Sequence, residues 1–228
     1  MNQLASAYPL AALWVTLAAF QLAVVLQRKT GILALQPVLV TTALVVAALY
    51  VFDVDYAAYR DANTVLAALL GPTTVALAVP LCQNLARVRQ LFGPLMITLI
   101  AGGSLGIVLT LLFGWLLGLR PELMMSLVPK SVTMPIALPL ADSLGGIAPL
   151  AAVMVMFTGV IGTALAPPLL HRLGVVDPAA RGFTLGMNAH AIGTAHALQE
   201  SQECAAFSAL GMILLGLATA ILLPYVLS

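Results

Sequence analysis

Two polar stretches interrupt an otherwise oily sequence and hold most of what it says about chemistry: Lys130-Ser-Val-Thr-Met-Pro-Ile-Ala137 and Asn188-Ala-His-Ala-Ile-Gly-Thr-Ala-His-Ala197. The first is suited to holding an anion. Lys130 supplies a full positive charge. Pro135 has no N–H and frees the carbonyl four residues back, at Ser131. A helix should break there, with Ser131 and Thr133 placed to cap the opened end. Such an end exposes N–H groups and a partial positive charge, which attract a carboxylate. The competing reading puts Lys130 at the membrane surface, its ammonium reaching for water, and the hydroxyls bonded back to their own helix.

In the second stretch, Asn188 and His190 lie mid-way along a segment that otherwise reads as a membrane crossing. Gly193-Thr194 is expected to break the helix, with Thr194 capping the new start. In an unbroken helix His190 and Thr194, four apart, share a face. A neutral imidazole both donates and accepts hydrogen bonds, and its ordinary pKa of about 6.5 lets it carry a proton. The plainer alternative is a packing histidine bonded to a backbone carbonyl. His190 and His196 are six apart with no carboxylate beside them, so no metal site is expected, and no cofactor. Cys82 and Cys204 read as small packing residues.

These groups sit in a chain of 228 residues that is 62% hydrophobic and 7% charged, where a soluble domain carries about 25% charge. The composition requires an all-α polytopic membrane protein embedded in a lipid bilayer. The alternating pattern of a barrel strand is absent. Nine basic residues against eight acidic ones leave no basic patch for nucleic acid. The first apolar run has no Lys or Arg before it, so it reads as a retained membrane helix and not as a secretory leader.

Five plain spans are expected, at Pro9–Leu26, Gly31–Val51, Pro94–Leu117, Ile147–Leu170 and Ala205–Leu227. Three further segments are interrupted by Pro, Gly or polar side chains: Asn63–Leu85, Leu123–Leu144 and Gly182–Leu198. Pro80, Pro135 and Pro139 are the expected break points. The total is about seven to eight membrane segments in a single domain, 1–228. Positive charge places Arg28, Lys29, Arg87 and Arg89 in the cytoplasm and the N-terminus outside. The second half threads in either of two ways. A full crossing by Leu123–Leu144 puts Arg172 and Arg181 outside, and a re-entrant hairpin puts them inside. A weak internal repeat (units 63–118 and 123–174, parallel or inverted) favours the full crossing. It rests on Thr74–Leu85 against Thr133–Leu144 and on Gly103-Ser-Leu-Gly106 against Gly159-Val-Ile-Gly162. Asp177 with Pro178 reads as a helix start, and Glu200 and Glu203 as solvent-facing. No nucleophile elbow or H-E-x-x-H motif occurs, so catalytic residues are not expected and the chain is not read as an enzyme.

The two stretches, in their order and spacing, resemble the LrgB/CidB family of bacterial inner-membrane proteins. The matching runs are Lys130-Ser-Val-Thr, Pro135-Ile-Ala137, Gly145-Gly-Ile147, Thr158-Gly159, Ala166-Pro-Pro-Leu-Leu170, Asp177-Pro-Ala-Ala-Arg-Gly182, and His190 with Ile192-Gly-Thr-Ala195. The chain departs from the family pattern at Met134, where a second Thr is common. Ala189 and Ala191 stand where Ser and Gly usually flank the histidine, and His196 where Arg is usual. The resemblance implies either of two functions. One is antiholin-like control of murein hydrolase export and autolysis. The other is transport of small carboxylates such as glycolate, glycerate, pyruvate or lactate. It also implies a small LrgA/CidA-type membrane partner and a homo-oligomer. Of the two, transport suits the residues better. Lys130, Ser131, Thr133, Asn188, His190, Gly193 and Thr194 are the expected substrate-binding set, with His190 coupling transport to a proton.

Overall fold

The computed structural model describes residues 9–30, 35–76 and 78–227. The flank 1–8, the start 31–34 of the expected second span and Leu77 in the first repeat element lie outside them. All the described regular structure is helical, and contacts group it into two units, Met1–Ala76 and Leu77–Ser228.

The first unit holds α1 (Pro9–Thr30), α2 (Pro37–Val51), α3 (Tyr56–Ala62) and α4 (Thr64–Ala76). α1 is long and apolar enough to cross a bilayer and ends on Arg28 and Lys29, cations that suit a helix C-terminus. Thr16 on α1 bonds the Tyr59 hydroxyl of α3 at 2.7 Å. Asp55 caps α3 by accepting from Ala57 N at 3.0 Å.

The second unit holds α5 (Ala78–Gln83), α6 (Leu85–Gln90), α7 (Phe92–Leu116), α8 (Pro121–Leu127), a tight turn of helix (Val128–Ser131), α9 (Met134–Ser143), α10 (Ala148–Arg172), α11 (Pro178–Glu200) and α12 (Gln202–Leu227). α7, α10 and α12 have 25, 25 and 26 residues and are apolar enough to cross a membrane. At 1.5 Å per residue each rises about 37–39 Å, more than the roughly 30 Å of a hydrocarbon core. Buried residues from α7, α9, α10, α11 and α12 meet in one core around Leu99, Val132, Val155, Phe183, Phe207 and Leu215.

Two of the three interrupted segments, Leu123–Leu144 and Gly182–Leu198, turn back on themselves. α11 reverses at His190, whose φ of 41° and ψ of −126° interrupt the helix. Its two ends come back together, since Arg181 and Glu200 form a double hydrogen bond at 2.9 Å. The preceding segment reverses at Val132 and Thr133, both extended, and the returning chain at Ile147 donates its N–H to Ser126 Oγ at 2.7 Å. Each limb has ten to twelve residues and rises about 15–18 Å, half a bilayer. Such backbone breaks at membrane depth persist only where protein or a wet cavity covers them.

The full crossing expected for Leu123–Leu144 is therefore replaced by a re-entrant hairpin, and so is the crossing expected for Gly182–Leu198. Pro135 does not break a helix. It sits in the first turn of α9, where its missing N–H costs nothing. Pro139 lies inside α9, which continues through it, and Pro80 lies inside α5. α10 connects the base of the α8–α9 hairpin to the base of α11, so the hairpins enter from opposite ends. α7 and α10, which carry the two aligned glycine pairs, run in opposite directions. Cys204 is buried as expected, whereas Cys82 is exposed.

One end of this unit gathers the charges. Arg87 reaches Asp177 at 2.9 Å and Glu203 at 3.6 Å, and Glu200 holds Arg181 at 2.9 Å and His196 at 3.4 Å. The two glutamates expected to face solvent are thus ion-paired. The hairpin threading also puts Arg172 and Arg181 at the same end as Arg87, as the positive-inside rule asks. The Ala180 N–H and then Arg87 hold the Asp177 carboxyl below the usual carboxylate range, and the hydrogen bond from Arg181 does the same for Glu200. Both groups add stability above their unfolded values near about pH 4 and lose it as pH falls through the lower folded values. The unfolding temperature in detergent should therefore drop as pH is taken from about 5 to about 3. Asp177→Asn, which keeps a cap acceptor, should flatten that drop. An acid limb identical in both proteins would contradict the assignment.

Candidate functional site

A cavity of about 220 Å³ lies between the two hairpins and two spanning helices. α7 contributes Thr98, Gly102, Gly103, Gly106 and Ile107, and the turn between α8 and α9 contributes Val128, Lys130, Ser131 and Val132. The first limb of α11 adds Thr184, Met187 and Asn188, and α12 adds Leu215 and Thr219. Thr98 to Ile107 occupy the middle of α7, and Leu215 the middle of α12, so the space lies near half-height of the spanning helices.

Lys130 is half-buried and donates from Nζ to Thr110 Oγ1 on α7. Thr110 gives its own proton to Gly106 O at 2.7 Å, which leaves its oxygen free to accept from the ammonium. Among the described residues Lys130 forms no ion pair. Asn188 donates to Thr184 O at 3.0 Å. Thr98 and Thr184 donate to Pro94 O and Ala180 O in their own helices.

Of the expected binding residues, Lys130, Ser131 and Asn188 line the cavity and the other four do not. Thr133 stands at the cap position of α9 without a side-chain capping bond. His190 is 3% exposed, and its Nε2 meets Val155 O at 2.9 Å. A Cβ on Gly159 would lie 2.7 Å from His190 Cε1, so this glycine of α10 makes the space for the ring. The break expected at Gly193-Thr194 falls at His190 instead. A side chain in that backbone region costs about 1–3 kcal/mol, and the Val155 bond and the ring's tight seat hold it there. Thr194 caps no helix start. It donates to His190 O at 2.9 Å and pairs with Ser208 Oγ at 3.0 Å. Gly193 lets the limbs close, since a Cβ there would sit 2.5 Å from Leu185 O. His190, Gly193 and Thr194 thus build the tip that presents Asn188.

Thr98, Thr110, Thr184 and Thr219 escaped the sequence reading. A threonine in an apolar helix ordinarily bonds its own backbone, so composition does not mark these four. The signal available for two of them was spacing, because Thr98 and Thr110 flank Gly102-Gly103 and Gly106 on α7. Among the described residues no three His, Cys, Asp or Glu side chains converge to hold a metal ion.

An all-helical membrane protein with two opposed re-entrant hairpins and, between their tips, a cavity that carries one lysine among a few hydrogen-bonding side chains is the class this geometry defines. The LrgB-like family model matches residues 16–228, and the chain belongs to that family. It is 35% identical to the Bacillus subtilis protein YxaC over 87% of this chain and 86% of that one. It is 30% identical to the Bacillus subtilis antiholin-like protein LrgB, covering 92% and 91% of the two chains. It is 31% identical to the holin-like protein CidB of Staphylococcus epidermidis over 87% of each. No solved structure matches the chain.

Proposed function

We propose that the chain carries small carboxylates such as glycolate, glycerate, pyruvate or lactate across the bacterial inner membrane, as a multi-pass carrier. The observation that carries the reading is Lys130, a cation without a carboxylate partner among the described residues, on the largely apolar wall of a cavity at half-height. A charge at such depth is costly, and membrane proteins retain one chiefly where it meets a substrate or another charge. Ser131 and Asn188 offer hydrogen bonds beside it. Paired hairpins whose broken ends meet near the midplane are the usual device of secondary transporters. Access would alternate as the hairpins move against the spanning helices. His190 then serves to shape the α11 tip, and the reading involves no bond-making chemistry. A small LrgA/CidA-type protein and a second copy of the chain are the proposed companions.

A second reading is holin- or antiholin-like control of murein hydrolase activity, and the names of the relatives favour it. It predicts a lysis phenotype that does not follow solute flux. Purified protein in liposomes decides between them. Saturable uptake of labelled glycolate or pyruvate, inhibited by the unlabelled acid, is expected, and an imposed pH gradient reads proton coupling. Uptake no faster than in empty liposomes, with lysis still altered in cells, would select the second reading.

A further inference from the structure

Four hydroxyl side chains line the cavity, those of Thr98, Ser131, Thr184 and Thr219, and they differ in what they do with their protons. Thr98 and Thr184 donate to carbonyls of their own helices at 2.9 and 2.8 Å. The hydroxyls of Ser131 and of Thr219 on α12 make no hydrogen bond among the described residues, and of these two residues Thr219 is the buried one, at 7% exposed. No buried side-chain nitrogen or oxygen in the described structure lacks a partner, so the Thr219 hydroxyl is not sealed in the protein. The space it meets is the cavity, which it lines. A threonine that forgoes the bond to its own helix keeps a donor and an acceptor for a guest.

Thr110 draws the Lys130 ammonium toward α7, whereas Thr219 faces the cavity from α12. We infer that Thr219 is a specificity-determining residue, whose hydroxyl bonds the oxygen on the carbon next to the carboxylate of an acid held at Lys130. This rests on the carboxylate reading of the cavity. A buried group built to meet a substrate oxygen rejects the analogue lacking it, because the group is then left unpaired.

The test compares glycolate with acetate, which keeps the carboxylate and lacks the hydroxyl, by direct binding to the purified full-length protein. The wild type should prefer glycolate by roughly tenfold or more. Thr219→Val, matched in shape, should weaken glycolate by about tenfold and leave acetate unchanged. Thr219→Ser should keep most of the preference. Equal weakening of both acids in Thr219→Val, or an unchanged preference, would overturn the role of Thr219 while leaving the carboxylate site standing. Failure of the wild type to bind either acid overturns both.

Discussion

Lys130→Gln is expected to abolish saturable carboxylate uptake while leaving the fold intact or firmer. The variant is one atom shorter, keeps a hydrogen-bonding tip and loses the charge. In the wild type the ammonium meets only the Thr110 hydroxyl, with no ion pair among the described residues, so its charge is met by a dipole. A carboxylate entering the variant's cavity would be a buried charge with no counterion, a loss of about 3–5 kcal/mol, or more than a hundredfold in affinity. The free protein moves the other way. Removing an uncompensated cation from the span spares its desolvation cost, so the unfolding temperature should hold or rise. Ligand-induced stabilisation, about 2.7 kcal/mol at a hundred times Kd in the wild type, should vanish. Uptake and stability thus separate, as at other strained functional sites. A Lys130→Gln protein that still takes up glycolate with an unchanged KM would show that the charge plays no part in binding.

The long spans were legible because their physics is local. An apolar run of twenty or more residues has few places to go, and α1, α7, α10 and α12 fall where composition puts them. The hairpins were less legible. Leu123–Leu144 and Gly182–Leu198 are long enough to cross, and length cannot tell a crossing from a reversal at its midpoint. At Pro135 the proline marked the neighbourhood of a break without placing it, because a proline in a first turn starts a helix as readily as it ends one. At His190 the reversing residue is a histidine in a backbone region that favours glycine, two residues upstream of Ile192-Gly193. The Val155 carbonyl 35 residues away, the gap left by Gly159 and the Thr194 hydroxyl bonded to the His190 carbonyl hold it there. Lys130, Ser131 and Asn188 were found because charge and amide groups are conspicuous in oil, whereas Thr219 resembles any helical threonine until its missing bond is seen.

Gly186→Ala is expected to prevent folding, and Gly106→Ala to be tolerated, although each adds one methyl to a helix. The first limb of α11 lies directly on α12. A Cβ on Gly186 would fall 1.9 Å from Ser208 O, and one on Gly182 would fall 2.1 Å from Cys204 O. The obstacle in both cases is backbone, which cannot rotate away as a side-chain tip can. Parting the helices would also pull Ser208 from Thr194 and loosen the limb that carries Asn188. Overpacking a tight core costs about 1–3 kcal/mol, occasionally more, and an overlap with a carbonyl oxygen this deep belongs at or beyond the upper end. Membrane proteins use small residues at such contacts because packing, not water, holds their helices together. Gly106 has nothing within 4 Å of its Cβ position and looks into the cavity, so alanine there relieves about 0.5–1 kcal/mol of backbone entropy and only trims the space. Size-exclusion chromatography in detergent should show Gly106→Ala as a single folded peak and Gly186→Ala as aggregate or no recoverable protein. A Gly186→Ala protein that runs and melts like the wild type would mean that α11 and α12 do not touch as described.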